Sequence, residues 1–334
     1  MIKLLKYKLS LKFKSKRILA SIYYSLFSRT FGREHKAVLA GKIAYEQNLK
    51  RIGESSILLR RNIHKLEKGL IMQPRRYIFA EGVIDETVEF YKRAIDQGNL
   101  NQEEKKWFTD VLLEYFKVVN NTTIIKQARN KFQACVEQDN QNNKFAPYKY
   151  DKLPELNISY EQLNKLFLKR RSVRWYEDKD VPISLIEKAV NLASLAPSAC
   201  NRQPYYFYVS KNREKAVEIA MCAGGTPGWA EGIPCTIAII GDLSAYPRER
   251  DRHLIYVDGS LAAMQLMLAF ETLGLSTCPI NWPDIESAEK KIANLLKLKV
   301  YERPIMLLSV GYAQDQGGIA FSQKKKAISL IKKV

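Results

Sequence analysis

Apolar positions recur with a helical period through the first 136 residues. From Glu81 to Gln97, Val83, Ile84, Val88, Tyr91 and Ile95 share one face; from Gln102 to Asn120, Trp107, Val111, Leu112, Tyr115 and Phe116 do the same. The spacing predicts an all-helical region (1–136), and neither helix carries a chemical motif. Residues 137–157 turn polar, contain Pro147 and Pro154, and read as a linker.

From residue 158 onward the pattern becomes mixed. Ser159 followed by Gln162 matches a capping box and predicts a helix to about Lys169. Ser184 with Glu187 matches a second one, opening a helix with Leu185, Ile186, Ala189, Val190 and Ala193 on one face, stopped before Pro197. Tyr205–Ser210, Cys235–Gly241, Ser276–Ile280 and Ile305–Gly311 are rich in β-formers and bounded by Gly or Pro, so they predict strands. Leu254 to Leu273 is apolar on nearly every side and studded with small residues; such a helix must be covered all round, here in part by a second subunit. The expected class is α+β: a mixed sheet flanked by helices over 158–334, preceded by the helical extension.

Charge changes this picture at one end. The net charge is +19, and the first 50 residues hold twelve Lys and Arg against only Glu34 and Glu46, a local excess of +10. Each such cation near an anionic leaflet contributes about 1 kcal/mol, so the arm reads either as a peripheral membrane contact or as a solvated tail. The period of two from Leu5 to Phe13, alternating with Lys6, Lys8, Lys12 and Lys14, is not that of an interfacial helix. Ile18 to Ser28 imitates a signal peptide but lacks a convincing small-residue cleavage site, and reads as structural. No run of about 18 uncharged apolar residues predicts a membrane span. The cytoplasm is therefore the expected compartment, with the inner membrane face as the peripheral alternative. Five scattered cysteines without a C-x-x-C pair, and three histidines without ligand spacing, predict reduced thiols and no metal site.

Dinucleotide, Walker A, H-E-x-x-H and G-x-S-x-G motifs are absent. Three polar segments remain. Arg170-Arg171-Ser172-Val173-Arg174 sets three guanidiniums and a hydroxyl where a helix gives way to an extended segment; it reads as a phosphate clamp or as a solvated patch. Ala196-Pro197-Ser198-Ala199-Cys200-Asn201-Arg202-Gln203-Pro204 presents a hydroxyl and two amides between prolines, as a ligand loop or a capped turn. Gly274-Leu275-Ser276-Thr277-Cys278-Pro279-Ile280-Asn281-Trp282 is a strand leading to free backbone N–H groups, or an ordinary buried strand closed by a turn.

In that order, across roughly 160 residues, the three segments resemble the signature of the nitroreductase family, a group of homodimeric FMN-dependent oxidoreductases. Ser309-Val310-Gly311-Tyr312 and the basic cluster Lys324-Lys325-Lys326 resemble its C-terminal strand and tail. The resemblance implies FMN as cofactor and NADH or NADPH as hydride donor, with a small organic acceptor, nitro- or quinone-like or a dedicated metabolite, reduced in a ping-pong sequence. It implies that Arg170, Arg171 and Ser172, with Lys324 and Lys326, bind the phosphate and ribityl chain. Arg174 would lie at the pyrimidine edge of the flavin. Pro197, Ser198, Ala199, Asn201 and Gln203 belong to the loop that reaches the partner subunit's flavin. Pro279 and Ile280 would pack on the ring, with the Asn281 N–H at N5. Hydride transfer needs no acid–base side chain, so no catalytic residue is expected.

Two departures carry expectations of their own. Trp282 is bulky where the family has a small residue, and is expected to narrow the pocket. The extension has no counterpart in the minimal family member; within it Arg60, Arg61, His64, Lys65 and Lys68 fall at helical spacing before Gly69, read as a C-cap, and the face reads as a solvated one ahead of an anion site or a docking face for a charged substrate. The rival class is a membrane-surface accessory protein using the flavin fold as a scaffold. No nucleic-acid module accompanies the basic pI, and no nucleic-acid partner is expected.

Overall fold

The computed structural model describes residues 16–28, 30–48, 56–98, 100–136 and 144–334. The alternating stretch from Leu5 to Phe13 lies outside them, as does the first part of the linker.

Six helices form the first half: α1 (Arg17–Ile22, continuing as a wider turn over Tyr23–Phe27), α2 (Gly32–Asn48), α3 (Ile57–Leu70), α4 (Glu81–Gln97), α5 (Gln102–Val118) and α6 (Thr123–Gln133). The predicted apolar faces of α4 and α5 meet those of α3 and α6 in one core, with Leu59, Ile63, Ile84, Val88, Phe108, Leu112 and Ile125 fully buried. Each such side chain contributes roughly 1.5–3 kcal/mol on burial. Ser56, Asn101 and Thr122 cap α3, α5 and α6 by accepting from the N–H three residues on. Gly69 is not the C-cap: α3 runs on to Leu70, and a Cβ at Gly69 would stand 2.1 Å from the Phe79 ring. Glycine is there to let an aromatic ring close on the helix. The described part of the linker is pinned to α5: Phe145 N donates to Asp110 Oδ2 at 2.7 Å, and Lys144 pairs with Glu114 at 2.5 Å.

In the second half, α7 (Tyr160–Lys169) carries the full capping box foreseen at Ser159 and Gln162. α8 (Ile183–Ala193) starts two residues earlier than its capping motif places it: Pro182 is the N-cap, no side chain caps it, and Ser184 lies in the first turn. Proline's fixed φ already sets the entry geometry there, so the Ser184–Glu187 pair is not used. The strands β1 (Tyr205–Ser210), β2 (Cys235–Asp242), β3 (Ser276–Asn281) and β4 (Glu302–Gly311) form one sheet in the order β1-β2-β4-β3, each pair antiparallel. The parallel element is a bridge between Ser172 and Thr277 at the β3 edge. β2 is buried on both faces: Cys235 and Ile237 face one cluster with Leu266 and Phe270 of α10 (Leu254–Thr272), while Ala238 and Ile240 face another containing Ile219 of α9 (Arg213–Ala220) and Ile292 of α11 (Glu286–Leu296). A last short helix, α12, spans Ala327–Leu330. By length and hydropathy α10 is long and apolar enough to cross a membrane, yet Ile255, Ala262, Ala263, Leu266 and Phe270 are buried against the sheet and α8.

The two halves pack on each other. α2 lies on the turn Leu243–Ala245, where a Cβ on Gly41 would meet the Leu243 backbone at 2.9 Å. Arg33 of α2 reaches Asp284 (2.7 Å), Glu286 (3.0 Å) and Glu289 (2.9 Å), the last two in α11. α3 lies on the turn Ala199–Asn201.

Candidate active site

The arginine segment is extended, so its side chains alternate. Val173 N donates to Thr277 O at 3.0 Å, which lays residues 170–174 beside the start of β3. Arg174 stacks its guanidinium over Trp229 at 5.8 Å. Burial raises the Glu271 carboxyl, and the Lys169 and Arg170 charges draw it back down. The Cys278 thiol is likewise raised by burial, with Arg174 and Ser172 opposing. The bridge of Ser172 to Thr277 and the Val173 bond set this segment along β3, which follows the C-terminal end of α10. Arg171 points elsewhere: its Nη2 donates to the carbonyl of Ala320 at 2.6 Å and to that of Phe321. It therefore holds the tail on which Lys324 and Lys326 stand exposed.

The strand end offers Pro279 half-buried, Ile280 buried and Asn281 exposed. Trp282 donates from Nε1 to Glu289 at 2.8 Å, and its ring packs on the cluster that holds Cys278, Ile280 and Ile292 of α11.

The loop from Ala196 to Pro204 is built and rigid. Cys200, Asn201 and Gln203 have φ of 54°, 52° and 49°, in the left-handed region that non-glycine residues occupy at a cost of roughly 1–2 kcal/mol each. Bonds hold it there: Gln203 N to Ser198 Oγ (3.0 Å), Asn201 N to Ser198 O (3.0 Å) and Ala199 N to Asp258 Oδ2 (2.9 Å). The hydroxyl of Ser198 thus accepts a bond within the turn. Arg202 is buried, donates to Ala199 O and stacks on Tyr246 at 5.1 Å.

Arg60 completes the loop from outside. Its side chain is 12% exposed, and Nε donates to Asn201 O (3.1 Å), Nη2 to Gln203 Oε1 (2.8 Å) and Nη1 to Glu104. The guanidinium also lies 5.1 Å over Trp107. The face read as solvated is so at Lys65 and Lys68, which are exposed, but Arg60 holds the loop and Arg61 bonds Tyr45 and Glu86 within the helical half. Asp258 escaped the sequence reading as well. The available signal was its rarity: Asp258 and Glu271 are the only acids in an otherwise apolar α10.

Within one chain, the arginine segment and the loop do not meet. The loop leads into β1 and the arginine segment adjoins β3, the opposite edges of the sheet. Along α10 the loop is tied at Asp258, whereas the strand beside the arginine segment follows the helix end at Thr272, fourteen residues on, about 20 Å at 1.5 Å per residue.

The family model described as Nitroreductase family matches residues 167–226 and 215–312, taking in all three segments. A protein of Archaeoglobus fulgidus with the provisional name NADH dehydrogenase/NAD(P)H nitroreductase is 31% identical over 160 residues, 47% of this chain and 88% of its own length. The chain belongs to the nitroreductase family. A similarly named protein of Methanothermobacter thermautotrophicus is 28% identical over 149 residues, 45% of this chain and 76% of its own. Among solved structures, an FMN-dependent nitroreductase from Clostridium difficile R20291 is 28% identical, covering 47% of this chain and 91% of that one, with a TM-score of 0.40. This nitroreductase-family chain is an oxidoreductase, and α1 to α6 lie outside the residues that the family model matches.

Neither Arg170 nor Arg174 is in an ion pair among the described residues, whereas Arg33, Arg60, Arg61 and Arg303 all are. Two half-buried cations outside any such ion pair, beside the end of an edge strand, suit a group that is anionic at one end and planar at the other. FMN has that chemistry.

Proposed function

We propose that this protein binds FMN and uses NADH or NADPH to reduce a small organic acceptor. The observation that carries this is the pair Arg170 and Arg174, unpaired and aligned with Ser172 along the start of β3. Arg170 and Ser172 hold the phosphate and ribityl chain, with Lys324 and Lys326 reaching it from a tail that Arg171 fastens. Arg174 places a fixed cation at the pyrimidine edge, where it favours the anionic reduced ring. Pro279 and Ile280 wall one face, and the Asn281 N–H supplies a donor. The chemistry that FMN supplies when bound is hydride uptake from the nicotinamide and delivery to an acceptor, nitro- or quinone-like or a dedicated metabolite, in a ping-pong order. The residues contribute position and electrostatics rather than proton transfer.

The functional unit in this reading is a homodimer with each flavin at the subunit interface. The 20 Å separation of the two segments supports it, since Pro197, Ser198, Ala199, Asn201 and Gln203 complete the partner's site rather than their own. So does the exposed apolar stripe Val257, Leu261 and Met264 on α10, 39–52% exposed in the single chain. Helix α7 buries no residue and leaves Leu163 and Phe167 open in the same way. An absorbance spectrum of the purified protein, then NADH and NADPH oxidation against a panel of acceptors, tests the reading. A colourless protein that takes up no FMN would end it.

A second reading rests on α1 and the turn after it. That stretch buries no residue and exposes Ile18 (73%), Leu26 (75%) and Phe27 (46%) in the most basic part of the chain, as a peripheral contact with an anionic membrane requires. Liposomes containing phosphatidylserine should retain the full chain and release one lacking residues 1–28; equal retention of both would exclude it.

A further inference from the structure

We infer that Arg60 is a positioning residue for the flavin site, and that the helical first half serves through it as a brace for the loop from Ala196 to Pro204. This rests on the reading of that loop as part of an FMN site. Arg60 lies on α3, 141 residues before Asn201, and outside the segment that the family model matches. Its planar fork bonds the carbonyl of Asn201 and the amide oxygen of Gln203, two residues with left-handed φ. Those are the positions where an unsupported loop would relax to ordinary backbone.

The fork is itself immobilised. Glu104 of α5 takes Nη1, and Trp107 of the same helix lies under the guanidinium. The Trp107 Nε1 is tied in turn to Glu67 of α3 at 2.9 Å. A chain of fixed groups thus runs from the helical core to the loop. From the other side, Asp258 holds Ala199 N and Arg202 is packed on Tyr246. The loop is clamped between the sheet domain and the extension, and only the Arg60 side is supplied by the extension.

The same half makes a second hold. Arg33 of α2 engages Asp284, Glu286 and Glu289, with Arg303 sharing Asp284 and Glu289. Asp284 lies three residues beyond Asn281, so this cluster steadies the chain just past the strand end that faces the ring. Two unrelated arginines on two helices thus reach two of the segments from which the flavin sites of the dimer are built. A solvated extension would place neither.

The test measures FMN affinity, by quenching of FMN fluorescence, together with amide hydrogen exchange in the full chain. Arg60→Met should weaken FMN binding 10-fold or more and speed exchange at Ala199, Asn201 and Gln203, while Thr277 to Ile280 exchange as before. Because Arg60→Met strips the buried Glu104 of this cation, the double variant Arg60→Met with Glu104→Gln, which removes both charges, should fold more stably than the single variant and show the same two changes. Arg60→Lys keeps the charge without the fork and should recover less than half of the lost affinity in free-energy terms, separating geometry from charge. Lys131→Met, which breaks an exposed pair with Asp85 and Glu89 within the helical half, serves as control and should leave FMN affinity within 2-fold. Wild-type affinity in both Arg60→Met chains, or full recovery by Arg60→Lys, overturns the proposal and leaves the flavin reading intact. A wild-type chain that binds no FMN overturns the flavin reading first, in an arm that involves no variant.

Discussion

Arg60 Nε donates to the main-chain oxygen of Asn201 at 3.1 Å, joining the helical first half to the loop that leads into β1. The contact is buried and shared with a carboxylate, which gives it consequences for stability apart from any cofactor.

Breaking one side of that pair is predicted to cost more than removing both. Arg60→Met leaves Glu104 buried without this cation and should lower unfolding free energy by about 3–5 kcal/mol, the usual range for a broken buried pair. Adding Glu104→Gln should restore most of the loss. Urea denaturation of both chains checks this, and a double variant no more stable than the single one would contradict it.

Gly41 allows α2 to touch the turn at Leu243. A Cβ would stand 2.8 Å from the Leu243 Cβ and 2.9 Å from its carbonyl atoms, and backbone cannot swing aside. Gly41→Ala is predicted to destabilise by about 1–3 kcal/mol despite alanine's better helix propensity. Thermal unfolding reads the sign directly.

Acidity should report on Asp258. Burial holds its carboxyl above the ordinary value; the Ala199 N–H, the Tyr246 hydroxyl and Arg202 oppose this without cancelling it. The folded chain thus keeps that proton more tightly than the unfolded one. The resulting stability is full below the unfolded pKa of about 3.9 and is lost as pH rises through the folded value. Asp258→Asn does not titrate, so its stability relative to wild type should climb between pH 4 and pH 7. A difference that stays constant over that range refutes the sign.

Phosphate recognition can be separated from ring recognition. Arg170→Ala should weaken FMN binding by about 1.5–3 kcal/mol, roughly 10- to 100-fold, as loss of a charge-assisted bond does, while riboflavin affinity stays near wild type. Arg174→Ala should weaken both. Equal effects of Arg170→Ala on the two ligands would move Arg170 away from the phosphate.

The open stripe on α10 makes oligomeric state testable. Leu261→Glu with Met264→Glu puts two charges on that face and should convert a dimer to a monomer by light scattering, with FMN binding lost alongside. A variant that stays dimeric and binds FMN would place the interface elsewhere.

Periodicity was enough for most elements because each buries one face against a core whose identity it need not know. The α4 and α5 stripes, the first three strands and the Ser159 box appear where the pattern puts them, while β4 starts at Glu302, three residues before the expected Ile305. Ser184 and Gly69 were misread for local reasons: Pro182 and Phe79 compete for the same positions, and short motifs do not register a neighbouring ring. The arginine, loop and strand segments were legible as chemistry because they are contiguous.

By itself, then, the sequence determined the α+β class, the family and the three segments of the candidate site, all properties carried by residues close together along the chain. Tertiary structure decided which of those residues face each other. It turned Arg171 toward the tail and Trp282 toward Glu289, set the loop and the arginine segment at opposite sheet edges, and put Arg60 on Asn201. Long charged side chains can extend toward water or toward a partner, and helical spacing is the same in either case. What settles the choice is a carboxylate and an indole from α5 arriving at Arg60, a coincidence of three dimensions that no spacing along the chain encodes.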